Sequence, residues 1–244
     1  MLLWSMANFF TWQARHARQP RRGRPEWDTR RILSEGGGGG GLWAYDDVSG
    51  VGLDLAMVQQ ARLKEVQYLR EKEVYRKIPR QQAVRMGIPI LRSRWVDIDK
   101  GDAATPNYRS RFVAMEFNNQ AMDGLFASTP PLEALKLLVS CAATSLKEES
   151  AEMKWEKDFE QMIMVSDIAR AFFEAPATRS IAVELPPEDL DESEVDCVGL
   201  LLKSLYGTRD AAKNFQEEVK RFLLGLGFTI GKYNTSIFST PRKT

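Results

Sequence analysis

Residues 164–173 read Met-Val-Ser-Asp-Ile-Ala-Arg-Ala-Phe-Phe, an apolar run that reaches a lone aspartate, Asp167, and is followed by two aromatic residues, Phe172 and Phe173. Met162, Ile163, Met164 and Val165 are apolar at consecutive positions, which predicts a strand covered on both faces. Asp167 then stands where a buried strand emerges. A carboxylate held there by a rigid element can ligate Mg²⁺, a hard cation that takes oxygen ligands and keeps positions open for phosphate. An aspartate after a strand equally serves to cap the turn that follows, and from the pattern alone that is the commoner use.

Two further stretches stand on either side. Residues 108–117 are Tyr-Arg-Ser-Arg-Phe-Val-Ala-Met-Glu-Phe, and residues 204–215 are Ser-Leu-Tyr-Gly-Thr-Arg-Asp-Ala-Ala-Lys-Asn-Phe. They are joined to the Asp167 segment by FASTPPLEALKLL at 126–138 and by SIAVELPP at 180–187. Taken in this order, the chain from about Trp43 onward resembles the reverse transcriptase domain of copia-type retrotransposon polyproteins. That family carries a basic segment of the type Lys-Ala-Arg-Leu-Val-Ala, then Asp-Val-x-x-Ala-Phe-Leu, then Leu-Tyr-Gly-Leu-Lys-Gln-Ala-x-x-x-Trp.

The resemblance implies roles position by position. Asp167 matches the first metal-binding aspartate, with the backbone carbonyl of Ile168 as a second oxygen ligand. Phe172 falls where the family's aromatic gate excludes a ribose 2′-hydroxyl; Phe172 and Phe173 also suit ordinary core packing. Tyr206 and Gly207 match the segment that supports the nascent base pair, glycine allowing close backbone approach. Arg109 and Arg111 take the Lys and Arg positions of the fingers segment, where the phosphates of the incoming nucleotide are contacted. The implied activity is RNA-directed DNA synthesis with Mg²⁺, deoxynucleotides and an RNA or DNA primer-template.

The chain departs from the pattern in places. Met115 and Glu116 stand where the family carries a base followed by glycine, and a carboxylate beside a phosphate path is unfavourable at close range. Arg209 replaces a lysine, Asp210 a glutamine and Phe215 a tryptophan. Two-metal nucleotidyl transfer needs carboxylates enough to hold both ions. Reverse transcriptases supply the others from a Tyr-x-Asp-Asp or Gly-Asp-Asp hairpin after the Leu-Tyr-Gly segment, and no paired aspartates follow Tyr206 here. The only Asp-Asp pair, Asp46 and Asp47, lies upstream and reads as the loop leading into the first helix.

Composition sets broad limits. The 244 residues are 43% hydrophobic and 27% charged with a net charge of +1, so any electrostatic footprint for nucleic acid must be local. Cys141 and Cys197 are too few and too far apart for a zinc cluster or disulfide framework, which fits an intracellular compartment, cytoplasmic or nuclear. His16 is the only histidine and lies in an Arg-rich tail, which argues against Ser-His or Cys-His catalysis and His-ligated zinc. Residues 1–42 read as a disordered leader: arginine-rich, then six glycines from Gly36 to Gly41. A transit-like peptide, a basic arm on nucleic acid and a localisation patch are the functional alternatives. Its apolar start is too short for a membrane span.

Beyond the leader, residues 54–77 predict a charged helix ended by Pro79, with Glu73 and Lys77 at helical pairing distance. Pro89–Ile98 and Tyr108–Phe117 predict a hairpin. Period-two geometry puts Arg92 and Arg94 on one face and Arg109 and Arg111 on one face. Should those faces coincide, four guanidiniums converge on phosphate oxygens; a solvated strand face fits the pattern as well. Leu132, Leu135, Val139 and Ala142 predict a core helix, residues 147–161 a charge-rich insertion, and Ile181, Val183 and Leu185 a strand. An acidic loop at 186–196 is expected to point away from a template. Ala212, Phe215, Val219, Phe222, Leu223 and Leu226 predict one face of a helix.

The expected fold is therefore α+β: reverse-transcriptase-like fingers (43–150) and a partial palm (151–244), an antiparallel sheet packed by helices, behind the leader. The expected function is that of a fragment of a retrotransposon RNA-directed DNA polymerase, inactive alone and without membrane association. A degenerate or domesticated remnant that binds nucleic acid or a partner without catalysis is the alternative.

Overall fold

The computed structural model describes residues 2–3, 44–102, 104–117, 124–143 and 167–240. The expected strand at 162–165, the charge-rich insertion and all but two residues of the leader lie outside them. Two units emerge, each built from non-contiguous segments. One comprises Arg22–Phe126 with Arg170–Phe215, the other Met1–Arg21, Ala127–Ala169 and Gln216–Thr244.

The first unit starts with a two-residue hairpin, β2 (Ala44–Tyr45) and β3 (Gly52–Leu53), following the short strand β1 (Leu2–Leu3) of the other unit. Asp54 caps helix α1 (Leu55–Glu71), its carboxylate accepting the Met57 N–H at 2.9 Å. Val58, Ala61, Glu65, Val66 and Leu69 recur at helical spacing and are buried. The helix ends sooner than the sequence predicts. Glu73 takes a left-handed conformation (φ 50°) and β4 (Tyr75–Pro79) follows. Tyr75 and Ile78 gain more in a strand, paired with Leu201 and Val198, than on a helix, and Lys77 pairs with Glu194 rather than Glu73.

A four-stranded sheet forms the centre, its strand order running from β4 to Cys197–Leu201, Ala182–Glu184 and Ile90–Leu91. After β4 come α2 (Arg80–Arg85) and β5 (Ile90–Leu91), with β8 (Ala182–Glu184) and β9 (Cys197–Leu201) from later in the chain. β5 runs parallel to β8, and the other pairings are antiparallel. Ile78, Ala83, Ile88, Ala182 and Val198 make its core, with Ile90 and Leu200 packed against them. The second sheet is the expected hairpin, β6 (Ser93–Asp99) with β7 (Tyr108–Ala114), antiparallel from Ser93 opposite Ala114 to Asp99 opposite Tyr108.

The acidic loop folds back on this unit. Asp189 is fully buried, accepting from Tyr75 Oη at 2.7 Å and pairing with Arg70, while Glu188 pairs with Arg62 at 3.1 Å and accepts from Trp95 Nε1 at 3.2 Å. Glu188 and Asp189 thus spend their charge on partners within this unit. Asp46 and Asp47 do not lead into α1; they form the β2–β3 turn, where Asp46 accepts the N–H groups of Val48, Ser49 and Asp99.

In the other unit, α3 (Leu132–Ala143) forms where the sequence predicts it, but Leu132, Leu135 and Val139 are exposed rather than core. Helix α4 (Ala211–Gly225) contributes residues 211–215 to the first unit and the remainder to the second. Phe215 and Leu223 of its expected stripe are buried, whereas Phe222 and Leu226 are exposed. β10 (Thr229–Ile230) and β11 (Ile237–Ser239) pair antiparallel, and β11 pairs with β1. Ser128 anchors this end: its N–H donates to Gln216 Oε1 at 2.9 Å and its carbonyl accepts from Ser236 Oγ at 2.6 Å.

Candidate functional site

The register of the β6–β7 hairpin decides where its arginines go. Arg109 stands opposite Ile98, Arg111 opposite Val96 and Val113 opposite Arg94, so Arg94, Arg109 and Arg111 share one face. Four guanidiniums nevertheless do not converge. Arg94 is drawn to the Asp47 carboxylate at 3.0 Å, and Arg92 precedes the strand. Arg109 is exposed, and Lys100 stands within electrostatic reach of Arg109 and Arg111; partial burial and those two like charges lower the Lys100 pKa.

Arg111 lies over the Tyr206 ring, 5.7 Å from its centroid. Tyr206 packs against Phe172 at 5.2 Å and Phe173 at 5.3 Å, and Phe172 against Phe215 at 6.2 Å. Both phenylalanines are buried, as packing alone would have them, and Phe172 presents little surface to a ligand. Burial pushes the Tyr206 hydroxyl up to about 12. The Leu-Tyr-Gly segment sits on the end of β7: the Ala114 N–H donates to the Tyr206 carbonyl at 2.7 Å. Gly207 has φ 85°, and a Cβ there would meet the Ala114 carbonyl oxygen at 1.9 Å, so only glycine permits this approach.

Two further groups lie around this cluster. Glu65 of α1 is 1% exposed and pairs with Arg170 Nε at 2.7 Å. Burial pushes its carboxyl up, although Arg170 and Arg111 pull the other way, and among the described residues its Oε1 has no hydrogen-bond partner. Arg170 is left-handed at φ 50° and its guanidinium lies 4.1 Å from the Tyr68 ring centroid. A carboxylate at the buried spacing between Ala61 and Leu69 was the sequence signal for Glu65.

The second group is a clamp centred on Arg179. It meets Glu116 with two hydrogen bonds, at 2.8 and 2.9 Å, and Asp210 with two, at 3.0 and 2.6 Å. Glu116 also accepts the Arg209 N–H at 2.8 Å. Asp210 accepts from Asn214 at 3.2 Å and Thr178 at 3.2 Å. Burial alone would raise both carboxyls, but these bonds hold each below its ordinary range. No spacing in the sequence marks Arg179 as their partner.

Asp167 and Ile168 belong to the other unit, and both are exposed. Among the described residues no three histidine, cysteine or acidic side chains group as metal ligands. Among the described residues no helix is long and apolar enough to cross a membrane.

No protein-family model matches the chain, and no solved structure matches it. Two curated proteins do: the retrovirus-related Pol polyproteins from transposons RE1 and RE2 of Arabidopsis thaliana. Each is 23% identical over 158 residues, 64% of this chain. The matched region is 10% of the length of either polyprotein. The similarity supports an origin in a retrotransposon Pol polyprotein.

Proposed function

We propose that this retroelement-derived chain is part of a copia-type RNA-directed DNA polymerase, comprising fingers and the first part of the palm. Arg109 and Arg111 contact phosphates, Tyr206 and Gly207 support the nascent base pair, and Phe172 backs Tyr206 beside the sugar. Asp167 is the first metal-binding aspartate, Ile168 offers its carbonyl, and Mg²⁺ belongs to the complete parent enzyme. The observation that carries this reading is the meeting of three distant segments: Arg111 on the Tyr206 ring, Phe172 against the same ring, and Gly207 closed on Ala114. Partial burial of a guanidinium on an aromatic face, beside an exposed arginine and a lysine, suits a polyanion better than an apolar ligand.

The chain's own residues divide the work. The guanidiniums attract and orient phosphate, the rigid Tyr206–Gly207 turn sets the floor beneath them, and the buried phenylalanines hold Tyr206. A second reading, a non-catalytic nucleic-acid-binding remnant, is favoured by the exposure of Asp167 and the enclosure of Phe172.

One pair of assays separates the two. The polypeptide of these 244 residues binds a primer-template but does not incorporate labelled deoxynucleotide with Mg²⁺ or Mn²⁺; joined to downstream sequence bearing an Asp-Asp hairpin, it does, and Asp167→Asn abolishes that incorporation. Binding with no incorporation from the extended chain establishes the remnant. Incorporation by the 244 residues alone, lost in Asp167→Asn, shows that other groups within these residues complete the metal site.

A further inference from the structure

We propose that Arg179 is a positioning residue of this surface: by pairing with both Glu116 and Asp210 it holds their carboxylates together and offsets one of their two negative charges beside the path of a bound polyanion. The proposal rests on the nucleic-acid reading above and deepens it.

The geometry supports each half. Glu116 lies just beyond the end of β7, five residues after Arg111, and Asp210 lies four after Tyr206, so the clamp joins the two segments that carry the cluster. The Ala114 N–H to Tyr206 carbonyl bond and the Gly207 approach involve residues two to four positions before those anchor points on each segment. A planar guanidinium can meet two carboxylates at once, with paired donors to each; an ammonium cannot. Asp210 is 6% exposed and has Asn214 and Thr178 as further donors, while Glu116 also takes the Arg209 N–H. Both acids stand where the resemblance leads one to expect uncharged residues, and a single arginine from a third segment satisfies both. The three charged residues thus act as one unit, and the acids cannot be understood without the base.

A purely structural clamp and an electrostatic one differ in what repairs its loss. The probe is a fluorescein-labelled DNA primer on an RNA template, followed by anisotropy at low ionic strength and a temperature well below the melting transition of every variant. Arg179→Met leaves two unpaired acids and is expected to weaken binding roughly tenfold. Adding Glu116→Gln and Asp210→Asn to it removes those charges and restores affinity to within about twofold of the wild type. The double variant Glu116→Gln/Asp210→Asn, which keeps Arg179 and reports even if Arg179→Met does not fold, binds several-fold tighter than wild type. It also gains more than the control Glu217→Gln/Glu218→Gln on the distal part of α4.

Unchanged binding in Arg179→Met, a triple variant as weak as Arg179→Met, or a double variant no better than the control overturns the proposal. If Arg109→Ala/Arg111→Ala weakens binding while the Arg179 series does not, the nucleic-acid reading stands and the clamp falls. Absence of any binding by the wild type overturns both.

Discussion

The carbonyl oxygen of Ala114 occupies the space that a Cβ on Gly207 would need, 1.9 Å from it, with Gly207 at φ 85°. The last residue of β7 and the turn after Tyr206 are thereby in backbone contact, which neither a rotamer change nor a small side-chain shift can relieve. Gly207→Ala is expected to lower stability by about 1–3 kcal/mol through the left-handed backbone alone, and by more through the clash. Thermal denaturation measures it, and a neighbouring-position control, Thr208→Ala, also probes the hydroxyl bond from Thr208 to the Leu205 carbonyl at 2.9 Å. A Gly207→Ala protein as stable as wild type contradicts the packing described.

Glu65 responds to pH in one direction and the clamp acids in the other. A buried carboxyl whose folded value is raised contributes stability that is fully present below its ordinary value of 4.5 and lost as pH rises through the raised value. Glu65→Gln keeps an acceptor for Arg170 and removes the charge. From mildly acid to neutral pH, its stability is expected to improve relative to wild type. Denaturant midpoints across that range settle the matter, and a difference that is flat or of the opposite sign shows that Glu65 is well solvated or fully compensated.

For Glu116 and Asp210 the folded values are lowered, so the stability they contribute is present above their ordinary values of 4.5 and 3.8 and is lost as pH falls through the lower folded values. Removing Arg179 leaves burial as the main influence on both, and their protonation moves to higher pH. Arg179→Met is therefore expected to be least destabilised, relative to wild type, in acid, and most destabilised at neutral pH. An acid-titration difference that does not narrow as pH falls rules out the ion pairs as its source.

How much of this was legible in the sequence depends on the kind of interaction. The hairpin, α4 and the strand at Ala182–Glu184 follow from local periodicity, since each has one face to bury or a turn between two runs. The end of α1 did not, because Tyr75 and Ile78 are strand residues only once Leu201 and Val198 lie beside them, and that pairing spans more than a hundred residues. By pattern Arg94 suits a phosphate face or a solvated one, and neither foretells Asp47 of the β2–β3 turn, which pairs with it at 3.0 Å. Glu116 looked like a liability beside a phosphate path, and only the fold supplies Arg179 to neutralise it. Arg109, Arg111, Phe172, Tyr206 and Gly207 were singled out by resemblance to a family's motifs. The structure brings Arg111, Phe172, Tyr206 and Gly207 to one place, and it leaves Asp167 exposed in the other unit.

The most direct test of the central claim is the affinity of the chain for a primer-template as salt is varied, with Arg109→Ala/Arg111→Ala compared against Lys220→Ala/Arg221→Ala. Both double variants remove two positive charges, so net charge is matched. Lys220 and Arg221 already pair with Glu217 at 3.3 Å and Glu218 at 2.5 Å on α4, far in sequence from the hairpin. The hairpin variant is expected to weaken binding and to flatten the dependence of log affinity on log salt by about one to two contacts, while the α4 variant does neither to a comparable degree. Equal losses from the two pairs, or no loss from the hairpin pair, contradict the central claim.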